Sequence, residues 1–442
     1  MKRLLTLFLL GNSLYAAENN TTTLFPATYN EVPWGMGVAY RATNSPYGRP
    51  FAQQDGESTS SFVQLLYYQG EHFYMDGTEM GYRAKITDNL SLAAFTRLRF
   101  ADFPEALQNR YQMDGYDPGV QLRYKIDGNS HVDLEAMTDM RSNFYGNLSY
   151  YYTYTWGDFD ITPYGTATYK SSGFNTRYYG LTDVTEHPTQ KLGAGVDMTA
   201  GMDLWYHVAS NFYLYGKAQV TLLNSEATNS PYVSENQQYQ YWLGMAFRND
   251  KHKTFQRNLK SKPYFRIAYG FATTSDLAEI LGLNTVPDPQ KNRLTSLFYG
   301  HPLSDTLFDL PVSVYLTPGI AWHYNSDVQH DITEFILAMK AYYTIQLPWR
   351  VRIGLASGIS YVNSITYIEK VDMDPGEQSS KLFQHLGFSA DISLKDMFGE
   401  RMNGLWLGYD IHHRSAVFEQ SSQYDRLKGG SNYNTVYLQY HF

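Results

Sequence analysis

The chain has 442 residues, a formal net charge of −8 and no cysteine, so disulfides and thiol chemistry are excluded and a basic nucleic-acid-binding surface is not available. Aromatic residues make up 16% of it, 40 of them tyrosine, an excess that suits aromatic girdles at two membrane–water interfaces better than an ordinary water-soluble core. Beyond the first residues no stretch reaches the run of about 18 apolar residues that a membrane-spanning helix needs.

In chain order, the first segment is MKRLLTLFLLGNSLYAAENN. Lys2 and Arg3 precede the apolar run Leu4 to Leu10, and Ala16 and Ala17 offer small-residue cleavage positions. This reads as a secretory signal peptide over residues 1–16, too short to span a bilayer as a helix. After it the dominant pattern is period-two alternation, which sends successive side chains to opposite faces of a strand. In EMGYRAKI, Met80, Tyr82, Ala84 and Ile86 oppose Glu79, Gly81, Arg83 and Lys85; in GVQLRYKI, Val120, Leu122, Tyr124 and Ile126 oppose Gln121, Arg123 and Lys125. In NFYLYGKAQVTLL, Phe212, Leu214, Ala218, Val220 and Leu222 oppose Tyr213, Lys217, Gln219 and Thr221. One apolar and one polar face, repeated along the chain of an exported protein, predicts an all-β, antiparallel transmembrane barrel with lipid outside and a polar lumen inside, hence a protein of the bacterial outer membrane. A water-soluble sandwich would need its polar faces outward.

Strands are expected near 33–41, 61–69, 71–76, 79–86, 90–100, 118–126, 131–141, 145–156, 158–170, 191–205, 211–222 and 238–248, about twelve in all. The last of these ends in QYQYWLGMAF, where Tyr239, Tyr241, Leu243, Met245 and Phe247 alternate, and the polar, basic NDKHKTFQRNLKSKP follows without alternation. That stretch reads as a linker over 249–262. About eight further strands are expected near 263–271, 292–299, 310–323, 332–346, 350–362, 382–394, 404–415 and 433–442. The final NTVYLQYHF, with Val436, Leu438, Tyr440 and the terminal Phe442 on one face, resembles the recognition signal of outer-membrane barrels. The reading is two tandem barrels, 17–248 and 263–442; a single barrel of about twenty strands is the rival. Both counts are even, and the long connections (42–60, 101–117, 171–190, 223–237) then fall on one side and the short ones (DGNS at 127–130, Gly157, 206–210) on the other, as in bacterial barrels with long outer loops and short periplasmic turns.

Residues 33–248 resemble the MipA/OmpV family through WGMGVAYR at 34–41, FYMDGTEMGYRAKITDNLSLAAFTRLRF at 73–100, TRYYGLT at 176–182, NSPYV at 229–233 and YWLGMAFR at 241–248. The resemblance implies an envelope scaffold, with a periplasmic murein hydrolase or synthase as partner, or a stress-response component, and it brings no catalytic residues. Asp133, Glu135 and Asp139 share a face and read as lumen charges paired with Arg97, Arg99 and Arg123.

The penultimate strand, GLWLGYDIHHRS at 404–415, carries the candidate chemistry. Leu405, Leu407, Tyr409 and Ile411 face lipid, and continuing by twos reaches His413 and Ser415; Trp406, Gly408, Asp410, His412 and Arg414 face the lumen. The last strand runs down to a periplasmic terminus, so this one runs up and sets His413 and Ser415 near the outer-leaflet headgroups. Two residues apart on one strand, their Cα atoms are roughly 6.5 Å apart with side chains on the same side, close enough for the imidazole to act as base to the hydroxyl. At that depth the ester within reach is an acyl ester of lipopolysaccharide. The arrangement resembles PagL-type lipid A 3-O-deacylases, eight-stranded barrels with a His-x-Ser pair on the penultimate strand. It departs from them at Ala416, where asparagine is usual, and in the orienting acid, for which Glu419 or Asp425 are the candidates. The bland reading stands beside it, because histidine and arginine are ordinary at a barrel rim. His323 and His330 flank an outer loop without a third ligand, and GAGVDMTAG at 193–201 lies on a strand with no helix to hold phosphate. No cofactor or metal site is read. Three functions stay open: envelope scaffold, lipid A acyl-ester hydrolase and narrow passive pore, the last excluded for the second half because about eight strands leave a filled interior.

Overall fold

The computed structural model describes residues 28–442 apart from 53–54, 112, 140, 185, 250–253, 372–378 and 416–428, so the leader expected at 1–16 lies outside the described residues. Among the described residues no helix is long and apolar enough to cross a membrane. The chain forms two closed antiparallel barrels. The first is built from β1 (Trp34–Asn44), β2 (Ser58–Gln69), β3 (Phe73–Gly77), β4 (Glu79–Lys85), β5 (Leu90–Arg99), β6 (Gly115–Lys125), β7 (Ser130–Thr138), β8 (Phe144–Tyr152) with its continuation β9 (Tyr154–Trp156), β10 (Phe159–Lys170), β11 (Gly195–Ala209), β12 (Phe212–Leu222) and β13 (Gln237–Arg248). β8 and β9 pair with the same strand, β10, so twelve staves close the ring where β13 meets β1. The expected single strand at 145–156 is interrupted at Thr153 because β7 ends opposite Tyr152, leaving β9 with β10 as its neighbour on one side alone.

The second barrel contains β14 (Tyr264–Thr273), β15 (Arg293–Ser304), β16 (Val312–His323), β17 (Ile332–Gln346), β18 (Arg350–Val362), β19 (Leu382–Ser393), β20 (Leu405–Ser415) and β21 (Gly430–His441), closed by β14 against β21. β15 runs beyond the expected end at residue 299 because a bulge between Pro302 and Ser304 lets pairing with β16 continue past a residue that has no N–H to give. Gly300 on this strand lies under the ring of Tyr264, and a Cβ there would stand 2.1 Å from a ring carbon.

The alternation resolves as the sequence predicts. Val120 is 52% exposed and Gln121, its neighbour in the chain, 1%. Such exposed Val, Leu and Tyr rows encircling a sheet fit hydrocarbon as solvent. In the first lumen Arg97 binds Glu135 and Glu79, and Arg123 binds Asp133. Two of the expected pairings differ: Arg99 takes Asp117, which lies diagonally across on β6, two residues beyond its register partner Gly115, and Asp139 accepts hydrogen bonds from the Arg141 and Asn143 backbone. The DGNS turn is tied by Asp127 Oδ1, which accepts from the backbone N–H of Asn129 (2.8 Å) and from the N–H and hydroxyl of Ser130 (2.7 and 2.9 Å). The Asn129 N–H and the Ser130 hydroxyl hold this exposed carboxyl below its usual range.

Whether a loop closes the first barrel was open from the sequence. The outer connections converge on one apolar cluster that includes Tyr47, Phe51, Phe103, Leu181 and Tyr232, with the Tyr47 hydroxyl donating to the Tyr178 carbonyl at 2.8 Å. The second lumen is packed with paired side chains: Asp391 with Arg352 and Tyr437, Asp410 with Lys340 and Arg266.

The stretch read as a linker is tied down where it is described. The Leu259 N–H donates to the Tyr29 carbonyl, and the N–H groups of Lys260 and Ser261 donate to Asp305. Each barrel satisfies its own backbone, so residues 17–248 expressed behind a signal peptide are expected to insert as a heat-modifiable barrel. Consistent degradation of that fragment, while the full chain inserts, would show that the first barrel needs the second.

Candidate functional site at the outer end of β20

β20 places alternate residues in two environments. His412 and Arg414 are buried in the lumen, and His413 and Ser415 are half-buried on the outer wall. The parity read from the sequence therefore holds at each of these positions.

Ser415 Oγ lies 2.8 Å from His413 Nε2, and His413 Nδ1 lies 2.6 Å from Asn432 Oδ1. The tautomer follows from the third contact. Asn432 Nδ2 donates to the Ser275 carbonyl at 2.9 Å, which can only accept, so the amide oxygen is the end that faces His413. Nδ1 then carries the ring proton, and Nε2 has a lone pair aimed at the Ser415 hydroxyl. A nucleophile, a base and an orienting group in sequence is the geometry of activated-serine chemistry. Asn432 was missed in the sequence because its position is set by pairing: it is the register partner of His413 across β20 and β21. The signal available beforehand was the alignment of the two last strands. Glu419 and Asp425, the acids considered for the orienting role, lie outside the described residues.

On the lumen side a second constellation sits directly behind the first. Glu334 accepts from His323 Nε2 (2.9 Å), His412 Nε2 (3.0 Å) and Ser360 Oγ (2.6 Å), and Arg414 Nε approaches to 3.5 Å. Arg414 also binds Glu369 and Ser360. His323, noted in the sequence without a third ligand, thus finds its partners here, while His330 stays exposed in the loop after β16. Ligand atoms of Glu334, His385 and His412 lie within 4.8 Å of one another, the spacing a metal ion would need. Three donors hold the Glu334 carboxylate and the Arg414 guanidinium adds positive charge beside it, while the buried Nδ1 atoms of His385 and His412 have no partner among the described residues; the hydrogen bonds to Glu334 pin the top of β20.

Two tandem barrels with lipid-facing apolar rows and long connections on one side define an outer-membrane β-barrel protein. Residues 36–249, within the first barrel, match the family model described as MltA-interacting protein MipA. Among curated relatives, YiaT of Escherichia coli (strain K12), named as an outer membrane protein, is 23% identical over 50% of this chain and 92% of its own length. Outer membrane protein Omp26La of Vibrio anguillarum is 22% identical over 44% of this chain and 80% of its own. The MltA-interacting protein of E. coli (strain K12) is 22% identical over 49% and 88%. Among solved structures, the outer membrane enzyme PagL aligns with 40% of this chain and 99% of its own at 12% identity and a TM-score of 0.28.

The two adjacent histidines are expected to respond differently to alanine. His412→Ala removes a buried donor to Glu334 and lowers stability by roughly 1–3 kcal/mol. His413→Ala, at a half-exposed strand end, costs about 0.5 kcal/mol or less. The midpoint of the heat-induced mobility shift of each purified variant measures the difference; equal shifts would mean that the lumen hub does not hold the strand.

Proposed function

We propose that the second barrel is an acyl-ester hydrolase of the outer leaflet, acting on lipid A. The observation that carries this reading is the Ser415–His413–Asn432 chain of hydrogen bonds at 2.8 and 2.6 Å, facing the membrane at the outer end of β20. Ser415 Oγ attacks the acyl carbonyl while His413 Nε2 takes the hydroxyl proton, and Asn432 holds the imidazolium's Nδ1–H. The tetrahedral adduct collapses as His413 returns the proton to the sugar oxygen, which leaves as an alcohol. A water, deprotonated in turn by His413, then releases the fatty acid from Ser415. Nothing in this sequence needs a metal or cofactor.

The assay is release of fatty acid from purified lipid A in detergent micelles, paired with mass spectrometry of lipid A from cells with and without the protein. Ser415→Ala is expected to lower the rate by at least about a thousandfold, and His413→Ala by a similar factor, because the two act as a unit. Undiminished release by Ser415→Ala would show that another group is the nucleophile; an inactive, correctly folded wild type across several lipid A forms would leave the pair as interfacial residues.

A second reading concerns the first barrel and is supported by the MltA-interacting description of its family model and of one relative. We infer that its periplasmic face, including the DGNS turn and the stretch that leads into the second barrel, docks a murein hydrolase or synthase. Cross-linking in cells from a photoreactive residue at position 128 is expected to capture such an enzyme; recovering barrel-assembly components alone argues against it.

A further inference from the structure

The lipid faces of the two barrels touch, and the contact ends beside Ser415. Two rows of outward side chains cross β18, β19 and β20: Ser357, Leu386 and His413 in one, Ile359, Gln384 and Ser415 in the other, each adjacent pair in register. The first barrel reaches the near end of these rows. Gln64 on β2 donates through Nε2 to Ser357 Oγ at 3.1 Å, and Gln384 Nε2 lies 3.3 Å from the same oxygen. A polar bridge therefore spans the two barrels within one cross-strand step of the Ser415–His413 pair.

Beside that bridge is a crevice of about 190 Å³. Met36, Val38, Phe62, Met245 and Phe247 of the first barrel's outer wall form its apolar lining, and Gln64, Ser357 and Gln384 its polar part. Gln384 of the polar part is the cross-strand partner of Ser415. Met36 and Phe247 pair one step from the Gly35–Arg248 pair that ends the β1–β13 register, and Val38, in register with both Met245 and Gln64, lies two steps further in. The first-barrel wall is thus apolar on both sides of Gln64, and from Gln384, beside Ser415, the lining extends to Met36 and Phe247 toward the periplasmic ends of their strands, the direction in which an outer-leaflet acyl chain runs.

We infer that this inter-barrel crevice is an acyl-chain site, and that the first barrel supplies one wall of it. The inference rests on the esterase reading and names its substrate-binding surface. The chain of the ester attacked by Ser415 lies between the barrels, its carbonyl end beside Gln384 and its methyl end against Met245 and Phe247. The Gln64–Ser357–Gln384 bridge ties the two walls together beside the crevice. An ester without a long chain gains nothing from these contacts, so the site selects for chain length.

Two measurements on the full-length protein in detergent test this. In the first, Ser415→Ala protein is irradiated with a palmitoyl ester carrying a diazirine at the chain end, and the labelled peptides are mapped. Labels at 36–38 and 245–247 are expected; labels spread evenly over lipid-facing strands on the far walls, such as 120–124 and 267–271, mean bulk lipid contact and overturn the inference. This readout needs no turnover, so it decides the matter even if wild-type protein hydrolyses no ester, the result that defeats the esterase reading by itself. In the second, Val38→Trp and Met245→Trp fill the crevice from a lipid-facing position. Hydrolysis of a palmitoyl ester is expected to fall about tenfold or more, with a butyryl ester changed by less than about twofold. Equal effects on both esters in heat-modifiable, folded variants overturn the assignment.

Discussion

Every backbone N–H and C=O that crosses hydrocarbon must find a partner within the protein, because no water is there to take its place. That constraint sets the architecture. β13 returns to β1 and β21 returns to β14, so neither sheet leaves an edge, and two seams rather than one divide the chain into barrels of different size. The same constraint sends polar side chains inward, where they must then be paired. Arg97, Arg99 and Arg123 of the first lumen each hold a carboxylate, and the second lumen is filled by the Asp391 and Asp410 networks.

The interior of the second barrel bears directly on its outer wall. A strand end at a membrane surface is where fraying is expected, yet β20 carries His413 and Ser415 at its very end. His412 and Arg414 resist that fraying from within. Their contacts to Glu334, Ser360 and Glu369 anchor the residues on either side of His413, and the hydrogen bond of Asn432 to the Ser275 carbonyl fixes the neighbouring strand. The geometry on the outside thus depends on electrostatics on the inside, through alternate residues of one strand.

Contact between the barrels has a different physical basis from a soluble interface. Trp34, Leu66, Tyr68 and Met75 pack against Leu303, Val314, Leu316 and Met339, but lipid tails would cover these side chains as well, so burial alone gives little drive. Close packing and polar contacts decide the arrangement. At the periplasmic edge Glu31 accepts from Ser304 Oγ (2.8 Å), Asn249 Nδ2 (3.0 Å) and the Gln256 N–H (2.9 Å), joining both barrels and the segment between them. Within the membrane, the Gln64–Ser357 bond does the same next to the reactive pair. The second barrel in this orientation covers part of the first barrel's outer wall.

The period-two pattern was enough, by itself, to place the strands, their faces and the even count in each half, because alternation is a local property of an extended backbone facing two solvents. It also put His413 and Ser415 outward and His412 inward, since parity along one strand needs no knowledge of its neighbours. What lies beside a residue is set by strand register, which depends on the pairing of distant segments. Asn432 opposite His413, Asp117 diagonal to Arg99, and the convergence of His323, Glu334, His385 and His412 from separate strands therefore emerge in the tertiary structure alone. So do the apolar cap made by four outer connections and the crevice between the barrels: each is built from residues far apart in the chain, whose own alternation says that they face a loop or lipid and nothing about what closes over them.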